Sequence, residues 1–127
     1  MSDDKNPYKE IQPSGDPSQY KWGMAIHLSA LIGLLLPLGL VLGPLIIWML
    51  KKNDSAFFDK QGKKAVNFQL TVLIAAFLFA LLGAAIKPLF ALAFMAGLAG
   101  LVFAIIAGLS VYKKGDFDYP FSFKFIK

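Results

Sequence analysis

Three stretches of the chain carry no Asp, Glu, Lys or Arg: Trp22 to Leu50, Ala65 to Ile86 and Pro88 to Tyr112, which hold 29, 22 and 25 residues. As helices they would be apolar on every face, and such helices belong in lipid or inside a large core. A chain of 127 residues has no core of that size. The pattern therefore predicts an all-α integral membrane bundle with two long transmembrane helices and a Pro/Gly-broken N-terminal helical hairpin.

The hairpin follows from the first stretch, which at 1.5 Å per residue would extend about 43 Å against a hydrocarbon core of about 30 Å. Its centre reads Leu36-Pro37-Leu38-Gly39, then Leu42-Gly43-Pro44, and these breakers predict a helix from about Tyr20 to Leu36, an interruption at 37 to 40 and a second helix from about Val41 to Lys52. Irregular backbone at membrane depth must be satisfied by protein or by a wet cavity, so the break should face the bundle.

Between the first two stretches, Asn53, Asp54 and Ser55 offer an N-cap, and Phe57 and Phe58 precede Lys60, Lys63 and Lys64. This reads as an interfacial amphipathic helix with its two Phe toward the acyl boundary and Asp59 paired to Lys63, continuing into the second stretch. Lys87-Pro88 marks a reversal, and Lys113-Lys114-Gly115 ends the third stretch. Residues 1–20 read as a disordered polar tail, 21–114 as the membrane domain, and 115–127 as an extended interfacial tail with aromatics at 117, 119, 121, 123 and 125.

Charge adds topology. All 13 basic residues are Lys, the net charge is +5, and twelve of the lysines share one side if the first stretch is a hairpin, leaving Lys87 alone on the other. The positive-inside rule makes the crowded side cytoplasmic, with both termini there, in an inner membrane. A single kinked span would put nine lysines against four, which obeys the rule less well. The lysine excess is thereby assigned to topology, and no nucleic-acid partner is expected.

Chemistry is sparse. The chain has no Cys and one His, and its apolar stretches hold no carboxylate, so neither a catalytic set nor a metal or cofactor site is expected. His27 is read as a hydrogen-bonding contact between helices, with a proton relay as the alternative. Asn67 and Gln69, at the entrance of the first long helix, are read as helix glue rather than a substrate pocket. Small residues are a firmer signal: Ala93, Gly97, Gly100, Ala104 and Ala107 form one seam on the last helix, and Ala65, Gln69, Ala76, Ala80 and Gly83 a similar seam before it. Small faces let helices approach closely in lipid, so the two should pair antiparallel.

Several motifs occur in one order: His27-Leu28-Ser29-Ala30, Gly43-Pro44-Leu45-Ile46-Ile47-Trp48, Lys51-Lys52, Phe58-Asp59, Gly62-Lys63-Lys64, Asn67-Phe68-Gln69, Tyr119-Pro120 and Phe125-Ile126-Lys127. From Trp22 onward the chain resembles a widespread family of small bacterial membrane proteins of unknown function that includes the magnetosome MamF-like proteins. It is similar, more distantly, to the chloroplast Tic import component of about twenty kilodaltons. The resemblance implies a non-enzymatic membrane role and carries no catalytic residues. It implies structural or interaction weight for the matched positions, among them His27, Pro44, Trp48, Asp59, Lys63, Asn67 and Gln69, beside Pro37, Gly97 and Gly100 from the pattern itself. The expected function is a scaffold, assembly or accessory factor working through helix and lipid contacts, with the bilayer, further copies or another membrane protein as partners. The alternative is a small transporter, channel or holin-like oligomer.

Overall fold

A computed structural model describes residues 11–127, and the first half of the N-terminal tail lies outside it. Four α-helices follow in order: α1 (Pro17–Leu28), α2 (Gly39–Lys51), α3 (Ala56–Ala85) and α4 (Phe90–Lys114). A 3-10 segment, Ser29–Leu34, extends α1, and a 3-10 turn, Lys87–Leu89, joins α3 to α4. The described residues contain no strand. At 30 and 25 residues, α3 and α4 are long and apolar enough to cross a membrane.

The first apolar stretch folds as a hairpin, although its boundaries differ from the sequence reading. Helix α1 starts at Pro17 rather than about Tyr20, because the Asp16 carboxylate accepts from the Ser18 backbone N–H at 3.0 Å and proline suits the first turn. The α-helical part ends earlier, at Leu28, where the Ser29 hydroxyl donates back to the Ile26 carbonyl at 2.7 Å and the backbone tightens. The turn then carries Pro37. Pro44 lies inside α2 and does not end it. A Cβ on Gly39 would come within 2.6 Å of the Ile32 carbonyl, and one on Gly43 would collide with that of Ser29, so the two arms touch backbone to backbone.

Ser55 caps α3 as expected, accepting from the Phe58 N–H at 3.0 Å. Phe57 and Phe58, expected to face the acyl boundary, instead lie inside the protein with Ile26, Ala65 and Val111. The reason is Gly23, where a Cβ would meet Val111 and Phe57 at 2.7 and 2.9 Å: its bareness lets α1 close over both. A second cluster joins Leu40 of α2 to Phe68 and Val72 of α3.

Burial is concentrated at one end. Eleven of the twelve buried residues of α3 lie between Phe57 and Val72, and all five of α4 lie at Gly100 or beyond. The far part of the α3–α4 pair stands alone, with Phe77, Leu81, Phe94 and Met95 more than half exposed. Helix α4 stops at Gly115, whose φ of 86° is the left-handed conformation that glycine adopts without strain.

Candidate functional site

The polar residues meet where α1, the start of α3 and the C-terminal tail converge. His27 is fully buried; its Nδ1 lies 2.6 Å from the Tyr119 hydroxyl and its Nε2 2.8 Å from Gln61 Oε1. Gln61 Nε2 donates to Asp116 at 2.9 Å, and the same carboxylate accepts from Lys60 at 3.0 Å and Lys64 at 2.8 Å. Lys64 also reaches Asp118 at 2.6 Å and the Phe117 carbonyl at 3.1 Å, and Lys60 the Ile11 carbonyl at 3.0 Å.

The direction of this chain of bonds follows from Asp116. Burial opposes its ionised form, but hydrogen bonds from Lys64, Gln61 and Lys60 and the Lys64 charge outweigh that and hold the carboxyl down at about 2. An ionised carboxylate only accepts, so Gln61 must present its NH₂ to Asp116 and its carbonyl to the imidazole. His27 then donates from Nε2, and in the neutral ring Nδ1 accepts from the Tyr119 hydroxyl. Burial raises the Tyr119 pKa, which keeps the phenol protonated and able to donate. Each side chain on the path has a partner, which is the condition for placing polar groups here at all.

The tail follows this path inward instead of lying flat on an interface. Tyr119 stacks on Phe68 with ring centroids 4.3 Å apart, and Phe117 meets Tyr119 edge to face at 5.2 Å. The chain then reverses at Pro120-Phe121, where Phe121 takes a φ of 55°, and returns along α3. Thr71 accepts from the Phe123 N–H at 3.0 Å, and Asn67 grips Ile126 on both sides, donating to its carbonyl at 3.0 Å and accepting from its N–H at 2.8 Å. Phe121, Phe123 and Phe125 are left exposed. The period-two aromatic pattern thus splits, with the first two rings inside and the last three outside.

The other singled-out residues fall into two groups. Trp48 donates to Asp59 at 2.8 Å, Asp59 pairs with Lys63 at 3.1 Å as the i,i+4 spacing predicts, and a Cβ on Gly62 would strike the indole ring. Gln69 lies between α3 and α4: its Nε2 donates to the Gly100 carbonyl at 3.0 Å, and its unpaired Oε1 faces the Gly100 Cα, where a Cβ would come within 2.9 Å. Gly97 is different. A Cβ there would meet nothing within 4 Å, so the α4 seam against the other helices runs through Gly100, Ala104 and Ala107 without it.

Sequence reasoning missed Gln61, Asp116 and the inner role of Tyr119. The available signal was a pair of acids, Asp116 and Asp118, directly after Gly115, in a chain whose 56–64 segment carries three lysines. Among the described residues no three His, Asp or Glu side chains are grouped to hold a metal. An open cleft of about 390 Å³, lined by Tyr20, Lys21, Tyr112 and Lys113 among others, lies beside the start of α1 and holds none of the residues singled out from the sequence.

Two long apolar helices, a glycine-packed hairpin and a latched tail define a small all-helical protein of the membrane-associated kind. The chain belongs to the MamF/MmsF family, described as the magnetosome magnetite crystal formation protein family, whose profile matches residues 18–126. That match does not extend to the Tic import component. No curated protein and no solved structure matches the chain.

Proposed function

We propose that the protein is a multi-pass inner-membrane scaffold or accessory factor, non-enzymatic, acting through contacts with lipid and with other membrane proteins or further copies. One observation carries this reading: the polar core spends its donors and acceptors on one another, tying α1, α3 and the tail into one body at the end where the lysines gather. Such a core fixes shape. A proton relay through His27 would need a carboxylate within the spans, and the nearest one, Asp116, is held by two lysines outside them. The family's description links its members to magnetite crystal formation in magnetosomes; for this chain we carry over an accessory role at a membrane.

Both termini face the cytoplasm, because the ends of α1, α2, α3 and α4 that carry Lys21, Lys51, Lys60 and Lys113 lie together, while Lys87 lies at the far turn. Proteoliposome flux separates this reading from a transporter or channel. Solute and ion flux no greater than in empty vesicles, with a defined partner or oligomer recovered by crosslinking in native membranes, is expected; flux above the empty-vesicle level would overturn the scaffold reading.

A further inference from the structure

The two ends of the molecule differ in width. Buried positions of α3 stop at Val72 apart from Gly83, and those of α4 begin at Gly100. Around that half stand both arms of the hairpin and the tail; beyond it only α3 and α4 continue. The hairpin is short because α2 has 13 residues, about 20 Å. Leu40, near its tip, is level with Phe68 and Val72, so Leu34, Leu35 and Leu38 in the turn, all more than half exposed, reach about the middle of a hydrocarbon core that begins near Val66.

We infer that the protein is a wedge fitted to curved bilayers, four helical segments and a folded tail wide in the leaflet nearest the lysines and two helices wide in the other. This rests on the membrane-spanning reading above. With a helix diameter of about 10 Å, two additional helices occupy roughly 160 Å² more in the crowded leaflet. Lipids there must spread to accommodate the difference, which is easiest where that leaflet is the convex one. The exposed Phe121, Phe123 and Phe125 widen the same leaflet further. The partner is therefore the lipid surface itself, selected by its curvature, with the lysine-rich end on the outside of the bend.

The chain has no native Cys, which makes orientation measurable. Single-cysteine variants Asn53→Cys, on the exposed turn before α3, and Lys87→Cys, at the far turn, are reconstituted into uncharged phosphatidylcholine vesicles of small and large diameter and labelled with an impermeant thiol reagent. Outward labelling at 53 is expected to rise from near parity in large vesicles to a clear majority in small ones, with labelling at 87 falling in step. Complementary labelling that does not change with diameter would overturn the wedge while leaving the spanning reading intact. Full labelling at both positions without detergent, or failure to float with the vesicles, would overturn the spanning reading and the wedge with it.

Discussion

His27 has both ring nitrogens engaged inside the protein, so the cost of altering it depends on which partners are left unpaired. Tyr119→Phe removes one donor and strands a single imidazole nitrogen, which should cost about 1–3 kcal/mol. His27→Ala strands both the phenol and the Gln61 carbonyl and leaves a cavity where the imidazole stood, and should cost more. Melting in detergent orders the two; a His27→Ala protein as stable as wild type would contradict the hydrogen-bonded path. Asp116 sets a pH dependence. Its folded pKa lies below the ordinary value of 3.8, so its stabilising effect is complete above that value and is lost as pH falls through about 2. Asp116→Asn should destabilise at neutral pH by about 3 kcal/mol, the lower end for a buried pair losing one partner, since Lys60 is buried while a third of Asp116 is exposed. The gap between the variant and wild type should narrow between about pH 4 and pH 2; a gap that stays constant there would show that Asp116 is not the titrating group.

Between elements, glycines decide how closely helices approach. Gly100→Leu must displace Gln69 and Val72, and it should separate α3 from α4 and lower the melting temperature; Gly97→Leu points into open space and should leave it nearly unchanged. Equal effects of the two would contradict a seam that runs through Gly100 and bypasses Gly97. Gly43→Ala drives a methyl group into the Ser29 carbonyl and should open the hairpin, read as a lower melting temperature in detergent. Much of this level was legible in the sequence. Runs free of charge marked α3 and α4, the Pro37 turn marked the hairpin, and the Gln69–Gly100 contact lay on the two seams read from small residues. Phe57 and Phe58 were misread because an amphipathic segment looks the same whether its apolar face meets lipid or another helix. Gly97 was misread because spacing gives a face of a helix but not which positions on that face a neighbour touches. The Tyr119–His27 pair joins residues 92 apart in sequence, and no local pattern reports such a contact.

For the whole molecule, the charge-free stretches carry the membrane reading and the lysines carry its orientation, while the hairpin decides how many times the chain crosses. The contacts of Lys51 with the Trp22 ring at 4.0 Å and of Ser55 with Gln19 at 3.4 Å hold the outer ends of α1, α2 and α3 together. A chain crossing once through residues 20–52 would have to separate them by the thickness of the bilayer. Cysteines at Gly15, Asn53 and Lys87, one per variant, probed in intact cells with an impermeant thiol reagent, test this directly. Labelling at 87 alone is expected, with 15 and 53 reacting only after the membrane is permeabilised. Labelling at 15 together with 87, and not at 53, would contradict the hairpin and place the N-terminus on the opposite side from the lysine-rich end.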